Sequence, residues 1–168
     1  MELVLVLHNI RSVYNVGAIL RTLEGFGGKR VVFSGYTPYP GTRPGVLPHV
    51  AEKIGAQISK TALGAEKLIK TEWVDNLTEE LEALKDQNYK IVGLENNLDD
   101  GQTLALNTPG IREKLGEKVV LVLGEEVSGI PEDIREKIEI FLEIPMHGQK
   151  ESFNVSVAAG IALYQLLA

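Results

Sequence analysis

Residues Lys118–Pro131 read KVVLVLGEEVSGIP. The run VVLVL lacks the apolar–polar alternation of a strand wetted on one face. It predicts a strand buried on both faces, as in a parallel sheet covered by helices. Directly after it come Gly124, the carboxylates of Glu125 and Glu126, and Gly129. Pro131 then suits the first turn of a helix over 131–137, with Glu132 and Asp133 at its positive end. Working outward, ELVLVLH (2–8), RVVFS (30–34) and KIVGL (90–94) repeat the apolar strand pattern, and 72–74 and 141–144 are shorter candidates. Helices are predicted over 13–25, 62–69, 78–87 and 154–167. The helix at 13–25 puts Ile19, Leu20 and Leu23 on one side, and that at 78–87 does the same with Leu81 and Leu84. The helix at 154–167 is apolar nearly all round, so it should be buried on more than one side. Residues 37–48 hold four prolines and two glycines and predict a loop.

Strands alternating with helices predict an α/β fold, a mostly parallel sheet with helices on both faces. Ligands of such sheets bind beyond the carboxyl ends of the strands, which directs attention to loops 8–15, 124–131 and 144–154. The 168 residues suit a single domain, with no repeat or linker visible. The chain has no cysteine, so it offers no disulfide, no thiolate zinc site and no cysteine nucleophile. His8, His49 and His147 lie far apart without ligand spacing, and no metal is expected. Met1-Glu2 leads straight into a strand, and the apolar stretch 155–168 is too short to span a bilayer, so a cytoplasmic protein without a membrane partner is expected. The net charge is −6, but residues 1–70 carry 9 Lys/Arg against 4 Asp/Glu and residues 71–168 carry 8 against 19. That asymmetry permits a basic face on an acidic body; scatter among solvated charges explains it equally well.

Several common signatures are absent. No G-x-G-x-x-G follows the first strand, and no serine sits in a G-x-S-x-G elbow. Gly124 and Gly129 have the spacing of a Walker loop, but Ile130-Pro131 stand where Lys and Ser/Thr are required. Asp99-Asp100-Gly101 reads as a turn in preference to a metal site.

Three polar clusters at predicted strand ends remain: NVGAILRT (15–22), LVLGEEVSG (121–129) and IPMHGQKESFNVSV (144–157). Taken singly, an N-cap asparagine, a snorkelling arginine, a glycine turn and a second cap account for them. In order and combination they resemble the three motifs of the SpoU/TrmH branch of the SPOUT RNA methyltransferases. The matching positions are Asn15 and Arg21, Gly124 and Glu126, then Ile144 and Met146 followed by Ser152 and Asn154. KTALGAE (60–66) resembles a further segment of that branch. Glu125 departs from the small polar residue expected there and adds negative charge, and Phe153 replaces the usual leucine.

The resemblance implies a C-terminal trefoil knot, binding of S-adenosylmethionine in it, a homodimer through the C-terminal helix, and methyl transfer to a ribose 2′-OH of RNA. It places the cofactor against Leu123, Gly124, Ile144, Met146, Ser152 and Phe153. It gives catalytic positions at Asn15, Arg21, Glu126, Ser152 and Asn154. A guanidinium holds its proton too tightly to act as a base, so Arg21 is read as a phosphate clamp that also stabilises charge on the 2′-oxygen. Arg11 is a candidate RNA phosphate contact, and Tyr36, Tyr39 and Arg43 of the proline-rich loop are candidates to stack or pair with a nucleotide; a rigid surface loop accounts for that segment as well. Compact family members without a further RNA-binding extension favour tRNA over rRNA as the substrate. The competing readings are a non-catalytic RNA-binding protein that keeps the fold and a small-molecule enzyme using a nucleotide cofactor.

Overall fold

A computed structural model describes residues 1–96, 98 and 103–168. The expected turn at Asp99-Asp100 lies outside the described residues. Among the described residues the apolar runs and two less apolar segments form seven strands: β1 (Glu2–His8), β2 (Arg30–Ser34), β3 (Lys70–Trp73), β4 (Lys90–Leu94), β5 (Thr103–Ala105), β6 (Lys118–Leu123) and β7 (Ile140–Glu143). Every strand pair is parallel, in the order β3-β2-β1-β6-β4-β7-β5. Register aligns Leu7 with Leu123 and Leu94 with Leu123, so β1, β6 and β4 end at one level. The loops that follow them share one edge of the molecule.

Among the described residues six helices cover the sheet: α1 (Val13–Gly25), α2 (Pro48–Ala62), α3 (Leu77–Asp86), α4 (Ile111–Leu115), α5 (Glu132–Arg135) and α6 (Val155–Leu167). One layer buries Leu3, Leu5 and Leu7 of β1 against α1, α2, α4 and α6; the other buries Val4 and Val6 against α3 and α5. Complete burial of such a leucine or valine contributes about 1.5–3 kcal/mol, which is why the strands are apolar on both faces. Local chemistry fixes the helix starts. Ser12 caps α1 by accepting from Asn15 N at 3.3 Å, Asn76 caps α3 by accepting from Glu79 N at 3.3 Å, and Pro48 opens α2.

The helix expected at 62–69 is not present. Instead α2 ends there: Leu63 turns left-handed at φ 51°, and a short 3-10 turn covers Ala65–Lys67. The sequence concealed α2 because it buries only Ala51, Ile58 and Ala62, too sparse a stripe to stand out. Short β5 and α4 also lacked a visible signal. Asn15 is not the cap of α1; it sits three residues inside it, which leaves its side chain free for a longer-range bond.

After β7 the chain returns to the other side of β4, and α6 packs against α1. Asn96, just past β4, holds this return path. Its side chain accepts from Ile144 N at 3.0 Å and donates to Ile144 O at 2.9 Å and Glu151 O at 3.4 Å. Such a path is consistent with the threading that the resemblance implies.

Candidate active site

The three polar clusters converge at the carboxyl ends of β1, β6 and β7. Glu126 is the hub. Its carboxylate accepts from Asn15 Nδ2 at 3.2 Å and from the Arg11 backbone N–H at 3.4 Å. Asn15 Oδ1 in turn accepts from Asn154 Nδ2 at 3.4 Å. Asn154 also caps α6, its Oδ1 accepting from Ser156 N at 2.9 Å and Ser156 Oγ at 2.7 Å. One asparagine thus starts the last helix and reaches the first.

Beside this chain of bonds lies a cavity of about 220 Å³, with apolar walls at Leu123, Ile144, Phe153 and Ala158 and polar ones at Glu95, Asn96 and Ser152. Gly124 lines it too and permits the loop to close. A Cβ there would stand 2.5 Å from the Gly129 carbonyl carbon and oxygen and 2.6 Å from Ile130 N. The closed loop is held by reciprocal Glu125–Gly129 backbone hydrogen bonds, both 3.0 Å. From β4, Glu95 Oε2 accepts from Ile130 N at 2.9 Å. Burial raises the Glu95 carboxyl above its ordinary range, against the opposing pull of the Ile130 N–H.

Glu125 adds less free negative charge than expected. Its carboxylate pairs with the Arg11 guanidinium and accepts from Ser128 Oγ at 2.6 Å. The Ser128 hydrogen bond is the main cause holding this carboxyl below the usual range. Arg11 therefore spends its head group on Glu125 in this structure, while its side chain stays largely exposed.

Of the six cofactor candidates, Leu123, Gly124, Ile144, Ser152 and Phe153 line the cavity; half-buried Met146 does not. Arg21 is exposed, not partly buried, and opens onto a separate groove with Ala18, Thr22, Phe26, Lys60 and Thr61. The reason is helical geometry. Six residues past Asn15 is roughly one and two-thirds turns, so Arg21 leaves α1 on another face, about 9 Å along the axis. In the proline-rich loop, Tyr39 packs edge-on against Phe33 and Trp73 and donates to Thr71 O at 3.2 Å, and Arg43 lies 3.8 Å over the Trp73 ring. Tyr36 alone of that trio remains exposed.

Sequence reasoning overlooked Glu95 and Asn96, which line the cavity and tie its loops together. The signal was available: polar residues immediately beyond the carboxyl end of a buried strand mark the ligand edge of a parallel sheet. Among the described residues no cluster of His, Asp or Glu could hold a metal ion, and no helix is long and apolar enough to cross a membrane.

The model of a family described as the SpoU rRNA methylase family matches residues 2–164. A protein of Staphylococcus saprophyticus named a putative TrmH family tRNA/rRNA methyltransferase is 32% identical over 97% of this chain and 57% of its own length. A 23S rRNA (guanosine-2′-O-)-methyltransferase, RlmB, of Xylella fastidiosa is 33% identical over 97% of this chain and 57% of its own. The chain spans about half the length of these curated relatives. The solved structure of the TrmH/SpoU tRNA modifying enzyme of A. aeolicus is similar at a TM-score of 0.77 and 25% identity, over 99% of this chain and 74% of that one.

Proposed function

This chain belongs to the SpoU rRNA methylase family, and from that premise we propose that it transfers a methyl group from S-adenosylmethionine to a ribose 2′-OH of RNA, with tRNA the favoured substrate. The observation that carries this reading is the Asn154–Asn15–Glu126 chain of hydrogen bonds set beside the Gly124 cavity. It joins the three motifs into one polar surface next to a slot with apolar walls.

The residues fit such a donor. Leu123 and Ile144 offer apolar cover for an adenine ring, and the glycine loop brings backbone groups to the cavity without an intervening side chain. When bound, S-adenosylmethionine supplies a sulfonium methyl already activated for displacement. The chain must orient the acceptor and favour the developing alkoxide. Glu126 fixes the rotamer of Asn15, and Asn15 fixes that of Asn154. Ser152, exposed at the cavity mouth, is placed to touch the donor or the acceptor nucleotide. Arg21 clamps a phosphate and stabilises negative charge on the 2′-oxygen.

Because Arg21 faces a neighbouring groove, we take the working form to be a homodimer in which Arg21 of one copy reaches the cavity of the other. The support is an exposed apolar stripe on α6, where Val157 is 49%, Ile161 36% and Tyr164 62% accessible. Phe26 of the Arg21 groove lies against Tyr164, with ring centroids 5.9 Å apart, so groove and stripe are continuous. Apolar surface of this kind commonly marks a self-association face.

The test is methyl incorporation from labelled S-adenosylmethionine into total tRNA and into rRNA, followed by nuclease digestion to identify 2′-O-methylated nucleotides. Arg21→Ala should abolish incorporation while calorimetry still detects donor binding. Near-normal turnover by that variant contradicts the role given to Arg21. Failure to bind the donor at all overturns the whole reading.

A further inference from the structure

Segment 144–154 contains no helix or strand, yet it supplies Ile144, Glu151, Ser152 and Phe153 to the Gly124 cavity. Its shape must therefore come from tethers. β4 and β7 pair from Val92–Ile140 to Leu94–Leu142, and Glu95 N extends the ladder by donating to Leu142 O at 3.0 Å. Glu143 O turns the other way and accepts from Leu106 N at 2.8 Å. The N–H and C=O of Ile144 consequently point back towards the β4 side, but the strand itself has ended at Leu94. The Asn96 side chain meets them instead. Its Oδ1 accepts from Ile144 N at 3.0 Å and its Nδ2 donates to Ile144 O at 2.9 Å, so a carboxamide stands in for a rung of the sheet. The same Nδ2 also donates to Glu151 O at 3.4 Å.

One side chain thus pins both ends of 144–151, and the four cavity residues of the segment sit at these two pins or directly beside the second. The chemistry needs asparagine. Its carboxamide carries an acceptor and two donors on one planar head, whereas a carboxylate of the same size offers acceptors alone and would face two carbonyl oxygens. Asn96 spends both kinds of group on the backbone, so it acts on a ligand through the segment it holds. We propose that Asn96 is a positioning residue for the methyl donor. It orders 144–151 before the donor arrives, so that binding loses less free energy to loop ordering. The proposal rests on the RNA methyltransferase reading and deepens it, because it makes donor affinity depend on a residue outside the three motifs.

The test uses the full chain and S-adenosylmethionine. By calorimetry, Asn96→Ala should raise the donor Kd by about tenfold, the scale of ordering a short segment on binding. Asn96→Asp, equal in size but without donors, should raise it at least as much. Hydrogen exchange read by mass spectrometry should quicken over 144–153 in Asn96→Ala and return to the wild-type rate with saturating donor, while β1 and β6 stay protected throughout. Asn76→Ala is the control: it removes the α3 cap, outside the cavity, and should lower Tm while leaving the donor Kd unchanged. An unchanged Kd in both Asn96 variants, or an equal rise in Asn76→Ala, overturns the assignment and leaves the methyltransferase reading standing on the wild type's own donor binding. A wild type that binds no donor overturns both.

Discussion

Replacing Gly124 with alanine puts a methyl group where the backbone of Gly129 and Ile130 already runs. The nearest atoms lie 2.5 Å from the new Cβ, and ordinary contact begins near 3.4 Å, so the loop must retreat by roughly 1 Å. Neither neighbour is a flexible side-chain tip. The retreat breaks the two Glu125–Gly129 hydrogen bonds, each contributing about 1 kcal/mol, and residual overpacking adds about 1–3 kcal/mol. A total of about 3–5 kcal/mol lowers Tm by about 6–20 °C in a domain of this size. The same loop walls the cavity, so calorimetry should find the Kd for S-adenosylmethionine raised by about tenfold or more, since 1.4 kcal/mol already gives that factor. Gly148→Ala is the control: nothing lies within 4 Å of its added Cβ, so both Tm and Kd should stay at the wild-type values. A Gly124→Ala protein with unchanged Tm and unchanged donor affinity refutes the argument that close approach of this loop forms the cavity.

Asn15→Asp sets a second carboxylate against Glu126 at the 3.2 Å contact and removes the donor, so methyl transfer should fall by about 10²-fold, as expected for a slight misplacement of reacting groups, while donor affinity measured by calorimetry changes little. Glu95 gives a pH signature. Its folded carboxyl titrates above the unfolded one, so the stabilisation it brings is complete at low pH and is lost as pH rises through the raised value. Unfolding of wild type and Glu95→Gln in urea should therefore show wild type losing ground to the variant between pH 4 and pH 7; a constant difference refutes the burial argument. Ile161→Glu places a charge in the exposed α6 stripe and should sediment as a monomer of unchanged helicity where the wild type, on the proposed assembly, sediments as a dimer.

The longer strands were legible because each is a local property. VVLVL at 119–123 and LVLVL at 3–7 are apolar on both faces, and only burial on both sides satisfies that pattern. Helices α1 and α3 were legible through the spacing of their isoleucines and leucines, and α6 as a run apolar nearly all round. Helix α2 was not, because it lies on the surface with few buried positions and a polar remainder. The site residues carried a weaker signal. Asn15, Glu126 and Asn154 each have an adequate local explanation, and only their order along the chain suggested a common purpose.

What the sequence determined alone was most of the strands, with β5 escaping it, that they pair in parallel between two layers, and that polar residues follow their carboxyl ends. The tertiary structure decided the rest: that β4 lies between β6 and β7, that Glu125 is neutralised by Arg11, and that Arg21 faces a different groove from Asn15. Residues 111 and 139 positions apart meet in the Asn15–Glu126 and Asn15–Asn154 bonds. Periodicity reports only which side of its own element a residue takes. Which distant element occupies that side is settled by how whole layers pack, and no window of neighbouring residues contains that information.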